Sequence, residues 1–148
     1  MNPINYGRVA LGTILGGVII AVLDAVVNGW LLMPWWSRVV AEGVGKPETR
    51  GAIALMMGKD VLIAFLLAVM YAAVRPRFGP GPRTAVLVGL AGWLLAYVPE
   101  FLDAAAWIRI PRSMAAISLL VGLAQCVGAT LAAGKVYMES SPTSPSGR

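Results

Sequence analysis

The amino-acid sequence predicts an all-α protein, a four-transmembrane-helix up-down-up-down bundle, from its composition, the length of its apolar runs and the chemistry of their breaks. Of 148 residues, 58% are hydrophobic and only 13% charged, and the mean hydropathy is +0.76, well outside the range of soluble domains. A bilayer core of about 30 Å takes about 20 apolar residues per crossing. Four crossings therefore use most of the chain and leave little for a soluble domain. Alternating strand patterning is absent, and a helix lets a lipid-exposed segment satisfy its own backbone groups.

The first span covers about residues 8–33. Its apolar run exceeds that of a signal peptide, carries Asp24 and Asn28 and lacks a small-residue cleavage site, so it reads as a retained span. The following "MPWWSRVVAEGVGKPETR" has two tryptophans and then alternating apolar and charged residues. Residues 34–50 thus suit either a short helix lying in the headgroup region or a loop with an aromatic anchor. The second, third and fourth spans cover about 51–74, 84–108 and 113–137, separated by "RPRFGPGPR" and "RIPR". Proline, glycine and arginine stop helices and favour the interface, and connections this short make neighbours antiparallel. Residues 1–138 form a single transmembrane domain. Residues 139–148, ending in "SSPTSPSGR", have nothing to bury and are expected to be a disordered tail.

Orientation follows from lysines and arginines beside the membrane. Six of them, Arg8, Arg75, Arg77, Arg83, Lys135 and Arg148, lie on the side of the termini, and five, Arg38, Lys46, Arg50, Arg109 and Arg112, on the other. The compact "RPRFGPGPR" loop has three arginines and no acid, so both termini are expected in the cytoplasm. The net charge of +5 suits the lipid bilayer as partner, through its anionic headgroups, and no soluble basic surface exists to hold a nucleic acid.

Charges inside the spans carry the functional question. Counted inward from the membrane boundary opposite the termini at about 1.5 Å per residue, Asp24 lies about 13 Å deep, Lys59 and Glu100 about 12 Å, Asp60 about 13 Å and Asp103 about 8 Å. Three helices thus deliver charge to one level. Residues three and four apart share a helix face, which aligns Gly17, Ala21, Asp24 and Asn28 in the first span. The same spacing aligns Met57, Asp60, Ala64, Ala68 and Tyr71 in the second, and Gly92, Ala96, Glu100 and Asp103 in the third. In the fourth it aligns Ala115, Ser118, Gly122, Gln125, Ala129 and Ala132. Small residues facing neighbours and large ones facing lipid are how membrane helices approach closely. Gly12 and Gly16 add a GxxxG spacing.

The charges are therefore expected inside the bundle, with Lys59 about 100° from Asp60 and able to swing toward a carboxylate on a neighbouring helix. Four acids and one lysine cannot all stay ionised in a dry interior, where an unpaired charge costs several kcal/mol. Protons, water or a bound cation must make up the difference. Either the network fixes helix register, or Asp24, Asn28, Lys59, Asp60, Glu100, Asp103 and Gln125 form an outward-facing site for a cation, a proton or a small polar ligand. Pro99 beside Glu100 frees a backbone carbonyl one turn earlier and can kink the helix there.

Other chemistries find little support. Histidine is absent, which removes the usual haem and zinc ligands and the commonest general base, and no cofactor is expected. The single cysteine, Cys126, lies mid-span as a small packing residue without a disulfide partner. A carboxylate pair could support intramembrane hydrolysis. A four-span aspartyl peptidase of the lipoprotein signal peptidase type has about this size, and Asp24 with Glu100 or Asp103 could supply the acids. The asparagine-rich motifs of those peptidases are missing. Trp30, Trp93, Tyr97 and Trp107 could line a groove for a lipid, quinone or pigment as readily as they could anchor to the interface.

"YAAVRPRFGPGPRTA" before an apolar third span, with the opening "NYGRVALGTILGGVIIAVLDAVVNGWLL", resembles a group of small bacterial four-span membrane proteins with no assigned function. The resemblance covers most of the chain through turn and packing motifs. It implies a bacterial inner membrane and four helices, and it carries over no catalytic or binding residue. The expected function is that of a non-enzymatic membrane protein acting through contacts, as an accessory subunit of a larger membrane complex or as a small homo-oligomer. The alternative is a transporter or binding protein using the carboxylate cluster.

Overall fold

The computed structural model describes residues 4–107 and 109–137; Ile108 and the expected tail at 139–148 lie outside them. Helix α1 spans Tyr6–Val26 and continues through a single π-helical turn, Val27–Leu31. Next come α2 (Met33–Ala41), α3 (Arg50–Phe78), α4 (Pro82–Trp107) and α5 (Arg112–Val136). Four of these elements, α1 with its π turn, α3, α4 and α5, are long and apolar enough to cross a membrane. The chain is an all-α, multi-pass membrane protein.

Local chemistry sets the ends. The Asn5 side chain accepts from Arg8 N–H at 3.2 Å and Thr49 from Ala52 N–H at 3.1 Å, satisfying N–H groups that a helix start leaves open. Helix α3 runs past the expected end at residue 74 and includes Pro76. The turn that stops it is only Gly79–Pro80–Gly81, with φ of 80° at Gly79 and 132° at Gly81, a region glycine enters without a steric penalty. The Tyr71 hydroxyl accepts from Gly81 N–H at 3.2 Å, and the Thr84 hydroxyl donates to the Gly79 carbonyl at 2.7 Å. The turn is thus latched to both of its helices. Helix α4 runs through Pro99 without ending.

Residues 33–41 form a short helix within the segment expected to be interfacial. Every side chain on α2 is exposed or only partly buried, and Trp35 meets Trp36 edge to face with centroids 4.6 Å apart.

Helix α1 packs between α3 and α5, α5 carries α4 on its other side, and α3 and α5 meet across the diagonal. Small residues make the seams. A methyl on Gly12 would stand 3.0 Å from the Ala133 methyl and one on Gly16 3.1 Å from that of Ala129, so the GxxxG pair forms the close approach of α1 to α5. On α4 a methyl at Gly89 would stand 2.7 Å from Val127 Cα, a backbone atom that cannot rotate away. Only 28%, 22%, 22% and 28% of the most apolar windows of the four long helices is buried. Their outer faces are leucine and valine where a water-soluble bundle would be polar.

The tight packing occupies one half of the molecule. Toward the end that holds the termini and the α3–α4 turn, Val9, Tyr71, Ala72, Ala85, Ala133 and Tyr137 are all buried. Toward the opposite end, called the far end below, burial falls away, most of all on α3. Residues 53–58 of α3 are all exposed. Six successive residues sweep more than one turn of about 3.6 residues, so no face of α3 is fully buried there.

Candidate functional site

The boundary between the halves is polar. Gln125 on α5 donates through Nε2 to Asp24 Oδ1 at 2.6 Å and to the Ile20 carbonyl at 3.2 Å, and its Oε1 accepts from the Tyr97 hydroxyl of α4 at 2.8 Å. Asn28, one turn beyond Asp24, donates to the same Oδ1 at 3.3 Å and accepts from Trp36 Nε1 of α2 at 3.3 Å. From α3, Lys59 Nζ stands 3.8 Å from Asp24 Oδ2 and 3.4 Å from Asp60 Oδ1. One connected layer therefore ties α1, α3, α4 and α5 and reaches α2 at its edge.

Each member arrives there for a local reason. Asp24 and Asn28 are spaced one helical turn apart on α1, so the amide of one stacks over the carboxylate of the other. The π turn begins at Val27, and a widened turn of this kind is often found at functional sites. Lys59 reaches as expected across to a carboxylate on a neighbouring helix, Asp24, while its ammonium stays over Asp60. The Lys59 side chain is 39% exposed, against 13% for Asp24 and 4% for Asp60. Asp60 Oδ1 is buried and faces the Lys59 ammonium, with no other partner among the described residues.

Of the seven residues expected at the site, the structure brings five together: Asp24, Asn28, Lys59, Asp60 and Gln125. Glu100 and Asp103 are exposed on α4 and form no ion pair with another described residue. On an ideal helix Asp103 points within about 20° of Gly92, so α4 does direct it inward along the buried stripe. Past Gly92, the last residue of that helix to be buried, α4 keeps α5 beside it through Tyr97, while the positions of Glu100 and Asp103 are left uncovered.

Sequence reasoning missed Tyr97 as the α4 member of the layer, treating it as a groove or interface aromatic. Its position one turn before Glu100, at the depth of the other charges, was the available signal. Trp93 adds a second tie between α4 and α5, donating from Nε1 to the Leu119 carbonyl at 3.0 Å. Cys126 is buried, as expected for a packing residue. Among the described residues no group of three or more cysteines and carboxylates is arranged to hold a metal ion. A shallow hollow lined by Phe101, Ala105, Ala106, Trp107, Arg109 and Ile110 lies at the end of α4, apart from the layer.

Chemically, two carboxylates, Asp24 and Asp60, face one ammonium. Asp24 spends one oxygen on two amides and turns the other toward Lys59, and neither oxygen bonds to Glu100 or Asp103. A pair of acids sharing a proton needs the two carboxyls in direct contact, whereas here Lys59 stands between the nearest two. Compared with protein-family models, with curated proteins and with solved structures, the chain matches none.

Proposed function

We propose that the protein is a non-enzymatic membrane protein acting through contacts, as an accessory subunit or a small homo-oligomer. Its polar layer serves to hold four helices in one register. The observation that carries this reading is the self-sufficiency of the layer: Tyr97, Gln125, Asp24 and Asn28 satisfy one another within the chain. In lipid, polar contacts of this kind and close small-residue packing hold helices together where the hydrophobic effect cannot. The wide apolar faces that remain are available to lipid and to protein partners. A bacterial cytoplasmic membrane with both termini inside fits the basic residues clustered at the α3–α4 turn.

The test is to count copies. Purified protein in lipid nanodiscs, examined by native mass spectrometry over a range of protein-to-disc ratios, is expected to hold a fixed stoichiometry above one, or one-to-one with a defined protein partner. A protein that stays monomeric at every ratio and carries no stoichiometric partner would contradict the reading.

A further inference from the structure

The segment between the first two spans leaves the membrane and re-enters it on one side, since residues 32–49 join the end of the π turn to the start of α3. Within it, α2 begins at Met33, directly after a membrane-spanning helix ends at Leu31. Its nine residues rise only about 14 Å, less than half of a bilayer core of about 30 Å. Helix α2 therefore stays at the surface. The chain bends at Leu32, whose side chain is buried and pins the bend. At the other end Gly43 takes a φ of 73°, and the N–H groups of Val44 and Gly45 close on the Val39 carbonyl at 3.1 and 3.0 Å. A helix stopped in this way satisfies carbonyls that its end would leave open.

The helix has two faces. At about 100° per residue, Trp35, Val39, Trp36, Val40 and Met33 fall within one arc of about 160°, and Ser37, Arg38 and Glu42 fall in the remainder. Met33 and Trp36 are 47% and 43% exposed, and α2 packs chiefly against the π turn it follows, so little of the chain covers the apolar arc. One hydrogen bond gives the direction of that arc. Trp36, within it, donates from Nε1 to Asn28 Oδ1 at 3.3 Å, and Asn28 lies inside the span that ends at Leu31. The Trp36 side of α2 thus faces back toward the bilayer. Charge has no share in this, because residues 33–49 set Arg38 and Lys46 against Glu42 and Glu48.

We infer that α2 is a membrane-surface anchor lying in the plane of the bilayer, with its Trp36 arc at the acyl-chain boundary and Arg38 and Glu42 toward water. Its partner is the interface of a zwitterionic phospholipid bilayer, the region that tryptophan and short amphipathic helices favour. Through Trp36 and Asn28 the anchor is also tied to Asp24, to which Asn28 donates, so the edge of the polar layer is held at a fixed depth below the surface. The anchor serves one copy as well as several and stands apart from the contact role.

The test is spin-label accessibility in phosphatidylcholine nanodiscs. In a Cys126→Ala background, Val39→Cys and Val40→Cys report the arc, and Arg38→Cys and Glu42→Cys report the opposite side. All four positions are exposed or partly buried, so the labels are expected to leave the fold intact. Power-saturation EPR compares collisions with oxygen, which concentrates among acyl chains, and with a nickel chelate, which stays in water. The oxygen-to-nickel ratio is expected to be at least about threefold higher at 39 and 40 than at 38 and 42, for a face sunk about 5–10 Å into the boundary. Adding phosphatidylglycerol should change the ratios little. High nickel access at all four positions would put α2 in water, and exclusion of both reagents at 39 and 40 would put a protein against it, a second copy included. Either result would overturn the inference, as would a difference that develops only when phosphatidylglycerol is present.

Discussion

Along α1, the residues Val9, Gly12, Gly16 and Ile20 are buried against neighbouring helices at every turn, whereas residues 53–58 of α3 are all exposed. Both stretches are apolar and helical, and both belong to spans of similar hydropathy, 2.3 and 2.2. Hydropathy therefore does not decide which one packs. The difference is what the small residues meet: Gly12 and Gly16 of the α1–α5 seam stand against Ala133 and Ala129, while a methyl on Gly58 of α3 would meet nothing within 4 Å. In lipid, where burying a leucine side chain gains little, only backbones that can approach closely hold together by dispersion. The polar layer lies where the glycine–alanine contacts of that seam end, and it adds hydrogen bonds between the helices at that level.

That contrast can be broken from either side. The largest effect is expected in the closed half: Gly89→Ala drives a methyl against Val127 Cα and Thr130 Oγ1, at 2.7 and 2.8 Å before relaxation. Overpacking against backbone should cost about 3 kcal/mol in mixed-micelle unfolding. A neutral result would mean that α4 and α5 are not closely packed.

In the layer, Lys59→Met should cost about 2 kcal/mol, less than the loss of a fully buried partner because Lys59 is partly exposed. Adding Asp60→Leu should restore much of that loss, while adding Glu100→Leu should restore none, since Lys59 pairs with Asp60 and Asp24 and not with α4. Rescue by Glu100→Leu would relocate the ion pair. Tyr97→Phe should cost about 1 kcal/mol, the net worth of one buried hydrogen bond. Its effect should largely vanish in a Gln125→Leu background, which a double-mutant cycle reads directly. At the open end, Leu55→Ala or Met57→Ala should change stability by less than about 0.5 kcal/mol. A cost near that of a buried large-to-small change would show that the far half is closed in the membrane.

The four spans were legible because a run of about 20 apolar residues has few alternatives. The short helix after the first span was also legible, as one of two readings. Asp24, Lys59, Asp60 and Gln125 could be picked out because charge and amide groups in a span are costly unless they meet. Helical period gave their directions. It could not tell whether a neighbour stands in that direction, and there Glu100 and Asp103 separated from the rest. The stripe of α4 continues past Gly92, but nothing covers it at Glu100 and Asp103. Tyr97 was illegible for a different reason: a tyrosine in a span serves equally as an interface anchor or as an internal hydrogen-bond donor, and only the position of Gln125 on a different helix decides it. The meeting of Gly12 and Gly16 with Ala133 and Ala129 is likewise a matter of which helices become neighbours, on which a single sequence is silent.

The central claim is that the polar layer divides a closed half from an open one, and accessibility along α3 tests it most directly. In a Cys126→Ala background, Ile53→Cys, Met57→Cys, Ala64→Cys and Ala68→Cys would each be treated with a membrane-impermeant maleimide in nanodiscs. Reaction at 53 and 57 with protection at 64 and 68 is the expected result. Equal protection at all four positions would contradict an open far half, and equal reaction at all four would contradict a closed half beneath the layer.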